Sequence, residues 1–94
     1  MGRAGRPPER PLSMPYRVTF HAAASASIPG LPAEAFEALV EVLVMAGRDP
    51  YKTGSPDPDD PAHRHATFGG LGLVAYRIDE AAEVVHVYHV MWAG

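Results

Sequence analysis

The sequence predicts an α+β domain in which a small antiparallel sheet, one N-terminal strand plus three C-terminal strands, packs against one main helix. Three observations carry this. Residues 62–92 divide into three extended, apolar-rich segments separated by turn residues. Residues 32–46 carry an apolar stripe with helical spacing. Residues 16–21 alternate with period two.

In the first strand, Tyr16, Val18 and Phe20 alternate with Arg17, Thr19 and His21, which puts the aromatics and Val18 on a buried face. The small, Ser-rich residues 22–28 suit a short helical turn before Pro29-Gly30. The main helix opens at Pro32, whose missing N–H costs nothing in a first turn. Phe36, Leu39, Val40, Leu43 and Val44 fall at i, i+3, i+4, i+7 and i+8 and form one stripe. Glu34, Glu37 and Glu41 face outward, and Glu34 also complements the positive end of the helix dipole. Gly47 is expected to end the helix and Pro50 to prevent its resumption.

Residues 48–61 hold four prolines and four aspartates and read as an exposed loop without regular structure. Asp57, Asp59 and Asp60 lack the ligand spacing and closing Glu of a calcium loop. Phe68-Gly69-Gly70-Leu71 reads as a two-residue hairpin, since paired glycines accept positive φ. Residues 79–83 make a second turn. The last segment, residues 84–92, is apolar at nearly every position, as expected of a strand covered on both faces.

Composition narrows the function classes. Ninety-four residues suffice for one small domain, expected at 16–94. Residues 1–15 form a Pro- and Arg-rich tail, expected to be disordered and basic, with three arginines against one glutamate. Met14 offers an alternative start two residues before the first strand. From Tyr16 onward five basic side chains face ten acidic ones, a poor match for broad phosphate-backbone binding. There is no cysteine, which removes disulfides and thiolate metal sites. No apolar run reaches the roughly 18 residues of a membrane span, and the N-terminus lacks a secretory apolar stretch. The expectation is a cytoplasmic protein with no membrane partner, no cofactor and no metal.

The order β, helix, β-β-β resembles the RelE/ParE superfamily of small bacterial toxins. The marks are Tyr16-Arg17-Val18-Thr19-Phe20, the helix ending in Gly47-Arg48-Asp49-Pro50, and the strand Leu73-Val74-Ala75-Tyr76-Arg77-Ile78-Asp79. The resemblance spans residues 16–91. It implies the toxin, or a toxin-derived relative, of a type II toxin–antitoxin pair, with a cognate antitoxin as partner. Members resembling RelE cleave messenger RNA on the ribosome, and members resembling ParE poison DNA gyrase. A non-catalytic protein-interaction module on the same fold is the reading from another class. An exposed edge on the last strand would suit an antitoxin segment or a second copy in a homodimer.

RNA cleavage needs the ribose 2′-hydroxyl aligned on the adjacent phosphate, cations for the developing charge, and a proton donor to the leaving oxygen. The RNA-cleaving branch supplies Arg or Lys before the hairpin, Arg just after it, and Arg, His or Tyr at the C-terminal end. Here Arg64 fills the first position, Leu73 stands at the second, and Met91-Trp92-Ala93-Gly94 occupy the third. Candidate substitutes are histidines, which serve as acid and base near neutral pH. The candidate catalytic set is therefore Arg64, His63, His65 and His89, with Arg64, Arg77 and Tyr88 as the RNA-binding set. His63 and His65 share a face, and regular alternation puts Arg64 on the other. The two could also ligate zinc, but no third ligand is placed.

Overall fold

The computed structural model describes residues 15–94, so the expected disorder of the tail concerns residues outside the described part. Strand β1 (Arg17–Phe20) leads into α1 (Ala22–Ser27), a 3₁₀ turn (Ile28–Gly30) and the main helix α2 (Ala33–Arg48). A second 3₁₀ turn (Pro50–Lys52) and β2 (Ser55–Pro56) follow, then β3 (His63–Phe68), β4 (Gly72–Asp79) and β5 (Val84–Trp92). The sheet order is β1-β5-β4-β3-β2.

The α+β architecture is the expected one, with differences of detail. The sheet has five strands and is mixed, because β1 runs parallel to β5. Tight turns force antiparallel pairing only on strands adjacent in sequence. β1 instead pairs with the last strand across a connection made through the helices. That pairing places β5 inside the sheet, so the free edges belong to β1 and β2. The β3–β4 connection spans three residues, because Phe68 pairs with Gly72. Its Gly69 and Gly70 take φ of +60° and +80°, as their lack of a Cβ permits.

Both helices lie on one face of the sheet. The core joins Ala24 of α1, Ala35, Leu39, Leu43 and Ala46 of α2, and Phe68, Val74, Tyr76, Ile78, Val85, Val87 and Val90 of the strands. The buried face of α2 is offset from the predicted stripe. Small residues Ala35, Ala46 and Gly47 join Leu39 and Leu43 against the sheet, while Phe36 and Val40 are 43% and 40% exposed. Small side chains let the helix approach closely, and the larger ones are displaced to its flank. Gly47 does not end the helix, which continues to Arg48. Its carbonyl accepts the Tyr16 amide (3.1 Å) where β1 begins.

β5 is not covered on both faces. Its register slips against β4: Ala75 pairs with His89 and Tyr76 with Val87, leaving Tyr88 as an inserted residue. The bulge changes the parity of the strand. Val85 and Val87 before it, and Val90 after it, all reach the core, so the apolar run arises without a second covered face.

The 48–61 segment is better anchored than its composition suggests. Arg64 is only 6% exposed and points to the helix side of the sheet, away from its histidine neighbours. Its Nε donates to the Thr53 carbonyl (2.9 Å) and its Nη2 to that of Gly54 (3.1 Å). Tyr76, its partner across β3 and β4, brings its hydroxyl to the carbonyls of Pro50 (2.9 Å) and Thr53 (2.7 Å). Burial pushes the Tyr76 phenol up, and Arg64 only partly counters this, so the group is a protonated donor. The Thr53 hydroxyl donates to Asp49 O (3.0 Å). Gly54, at φ +69°, completes the turn, and a Cβ there would collide with the His65 carbonyl. Arg64, proposed from sequence as a phosphate ligand, is thus occupied by backbone carbonyls in the protein interior.

Replacing Arg64 leaves buried carbonyls short of donors, and hydrogen bonds from charged groups contribute about 1.5–3 kcal/mol each. Arg64→Met is expected to lower unfolding stability by about 2–4 kcal/mol. Urea denaturation should show a reduced midpoint with unchanged slope. An unchanged midpoint would mean that the guanidinium does not hold the loop.

Candidate functional site

The face of the sheet opposite the helices gathers the chain's histidines together with Tyr88. Alternation puts His63, His65 and Thr67 of β3 on this face, with Leu73, Ala75 and Arg77 of β4 beside them. On β5, His86 and, past the bulge, His89 join them. Two rows cross the sheet: Thr19, His86, Arg77 and His63 in one, and His89, Ala75 and His65 in the next.

The rings form a connected group. His63 lies 5.2 Å from His65 and 5.0 Å from Tyr88, centroid to centroid. Tyr88 in turn meets His21 edge-on at 6.1 Å, and His21 meets His86 at 6.4 Å. The bulge inserts Tyr88 among these rings. His86 is fixed by Thr19, whose Oγ1 is 3.0 Å from its Nδ1.

His63 has the most directed surroundings. The Asp57 amide donates to the His63 carbonyl (2.8 Å) and the His63 amide to the Asp60 carbonyl (2.9 Å), so the aspartate loop is tied to the start of β3. The Asp57 carboxylate then stands 3.6 Å from His63 Nδ1, at ion-pair distance. On the other side of the ring, Nε2 is buried and has no hydrogen-bond partner among the described residues. Buried polar atoms are nearly always partnered, and an exception invites a functional reading. An imidazole with a carboxylate near Nδ1 and an unpartnered Nε2 has the chemistry of a proton carrier once Nε2 is uncovered to a substrate.

Arg77 supplies the cation on this face. It pairs with Asp60, Nη2 to Oδ2 at 3.1 Å, with both side chains well exposed. The Ala62 amide, and after it Arg77, hold the Asp60 carboxyl below the usual carboxylate range. Among the described residues no three His, Asp or Glu side chains converge to hold a metal ion.

The structure therefore brings together His63, His65, Arg77 and Tyr88. His89 shares the face from an exposed position beyond Ala75, and Arg64 lies on the opposite face. Sequence reasoning missed His21 and Asp57 as members of the site. In sequence Asp57 reads only as a member of an unfit calcium loop, and its place beside His63 depends on backbone pairing between loop and strand. His21 follows β1, parallel to β5, a neighbour that its sequence position does not reveal.

No family model and no curated protein matches the sequence. Solved structures do. The toxin–antitoxin complex RelBE2 from Mycobacterium tuberculosis aligns at TM-score 0.71 and 27% identity, covering 84% of this chain and 92% of that one. The chain is a divergent member of the RelE/ParE superfamily. The intact E. coli RelBE toxin–antitoxin complex superposes at TM-score 0.74 with 20% identity, over 84% of this chain and 98% of its own. The chromosomal ParDE system of P. aeruginosa gives TM-score 0.63 at 12% identity, over 87% and 100%. At these last two identities the likeness is one of fold. The mixed sheet with helices on one face is the frame that these structures share with the chain.

The Asp60–Arg77 pair has a defined pH signature. Because the folded carboxyl titrates below its unfolded value, its stabilising contribution is present above the unfolded pKa and disappears as pH falls through the folded one. Carbon-detected NMR titration should place the Asp60 midpoint below the ordinary carboxylate range. Arg77→Ala should raise it part-way, since the Ala62 hydrogen bond remains. A midpoint already in the ordinary range would refute the described pairing.

Proposed function

We propose that this chain is the toxin of a type II toxin–antitoxin pair and that it cleaves messenger RNA on the ribosome through the histidine-bearing face of its sheet. The observation that carries the reading is His63, with the Asp57 carboxylate 3.6 Å from its Nδ1 and no hydrogen-bond partner at Nε2 among the described residues. Its neighbour His65 stands 5.2 Å away, ring to ring. One imidazole removes the proton of the ribose 2′-hydroxyl, whose oxygen attacks the adjacent phosphorus. The other protonates the departing 5′-oxygen. The products are a 2′,3′-cyclic phosphate and a 5′-hydroxyl end. Arg77, paired with His63 in register, stabilises the charge that builds on the phosphoryl oxygens, and Tyr88 and the outer histidines offer rings on which bases stack. His89 stands at the margin of this face as a further proton donor.

The acidic body weighs against broad phosphate-backbone binding, and this mode does without it. A ribosome presents the message in place, so affinity need not come from a broad cationic surface on the protein. The antitoxin has a fitting surface on the other side of the molecule. Val18 and Phe20 of the free-edged β1 line an apolar groove with Val40, Leu43 and Val44 of α2, and Phe36 stands exposed on the same helix. An extended or helical apolar segment would cover it.

Induced expression is expected to arrest bacterial growth, and His63→Gln to relieve the arrest. On programmed ribosomes that substitution should slow cleavage by roughly 10²–10⁴-fold, the usual contribution of a general acid or base. Full cleavage by a His63→Gln, His65→Gln double variant would remove the assignment of roles. Harmless expression of the wild type would favour an interaction module, and arrest with intact message but inhibited supercoiling would favour a gyrase poison.

A further inference from the structure

His63 and His65 stand two residues apart on β3, and a strand carries such residues on one face with about 6–7 Å between their Cα atoms. Their rings lie 5.2 Å apart, centroid to centroid, and are tilted by 39°. Two imidazoles on one tetrahedral zinc ion, at a Zn–N distance of about 2.0–2.1 Å, also hold their centroids about 5 Å apart. The strand thus spaces this pair as a chelate without any movement of the backbone. The other neighbouring pair, His21 and His86, stands wider at 6.4 Å, and Thr19 engages His86 at Nδ1.

We propose that His63 and His65 bind one zinc ion between their rings, and that the bound ion shuts off the proton transfer assigned to them. Ion binding stands on its own, while the inhibition rests on the RNA-cleavage reading. The state of His63 is the first argument. Its Nε2 has no hydrogen-bond partner among the described residues, and the Asp57 carboxylate lies 3.6 Å from its Nδ1. A carboxylate on that side favours the tautomer with its proton on Nδ1, which leaves the Nε2 lone pair for a metal and raises its basicity. Rotation of the two rings about their side-chain bonds turns the ligating nitrogens out of their covered positions and toward the ion.

Local charge is the second argument. Asp57 and Asp60 both belong to the loop tied to the start of β3, and Arg77 neutralises only Asp60, so one carboxylate remains to favour a cation beside His63. The donor set is the third. Imidazole nitrogen suits zinc, and the chain has no cysteine to compete for it. Two protein ligands leave the remaining positions to water, which makes the site open and exchangeable where a structural zinc site is closed. Such a site suits reversible control. While the ion is bound, both lone pairs are committed to it, and neither ring can take the 2′-hydroxyl proton.

The test is calorimetric titration of the full chain with zinc chloride, together with NMR of the histidine rings. One zinc ion per chain should bind, with the His63 and His65 ring signals shifting together. His63→Gln and His65→Gln should each abolish saturable binding. Asp57→Asn should weaken it by roughly tenfold, the lower end for a group behind a ligating histidine. His89→Gln should leave it unchanged, and magnesium, which prefers oxygen ligands, should not shift the two rings. Zinc affinity that survives His65→Gln would overturn the chelate, as would a loss on His89→Gln equal to that on His65→Gln. On programmed ribosomes, saturating zinc should stop cleavage by the wild type, and a chelator should restore it. Message cut at full rate by the zinc-loaded protein would overturn the inhibition. Zinc binding by a protein that cuts no message with or without the ion sinks the toxin chemistry and keeps the metal site. Cleavage by a protein that binds no zinc sinks the metal site and keeps the chemistry.

Discussion

The helices cover one face of the sheet and leave the other bare, and nearly every property of this molecule follows from that asymmetry. With a single covered face, the two-residue period of a strand becomes a decision about each side chain: interior or surface. On β3, Ala66 and Phe68 belong to the core, so Arg64 must go inward with them, while His63 and His65 must go outward. The same rule sends Val74, Tyr76 and Ile78 inward and Arg77 outward on β4. A one-residue slip would bury the histidines beneath α2 and expose the core, a loss far larger than any polar contact on the open face could offset.

Two local devices work within this constraint. The first is the bulge at Tyr88. Without it, β5 could not send Val85, Val87 and Val90 to one face, and its polar residues would divide between core and solvent. With it, the strand keeps an apolar inner surface and adds Tyr88 to the rings outside. The second is the Arg64–Tyr76 pair. An arginine forced inward needs acceptors, and it finds them in the Thr53 and Gly54 carbonyls, with Tyr76 binding Pro50 and Thr53 alongside. The buried charge thereby turns a proline-rich loop into a wall of the sheet. A position that reads in sequence as a phosphate ligand becomes the anchor of β2.

The open face gains its character by concentration. All five histidines of the chain lie on it or at its margin, contributed by β3, β5 and the residue that caps α1. The carboxylate near His63 belongs to a loop aspartate brought alongside by backbone hydrogen bonds, while Arg77 makes an exposed, easily exchanged ion pair with Asp60.

The amino-acid order by itself determined the main helix, the four longer strands and the inside–outside alternation of β3 and β4, though not the short β2 within residues 48–61, because hydrophobic periodicity and Gly-Gly turn chemistry are local signals. It thereby determined that His63 and His65 share a face and that Arg64 does not. The kinship with RelE/ParE was legible from the order of elements. Only the tertiary structure decided which strand β1 would join, and therefore that His21 and Thr19 would meet His86 and Tyr88. It alone disclosed the slip in β5, the offset of α2 toward its small residues, and the pairing of Asp57 with His63. These depend on contacts between residues distant in sequence, where strand direction, close packing and the demand for hydrogen-bond partners in the interior select one arrangement among several that local patterns permit equally.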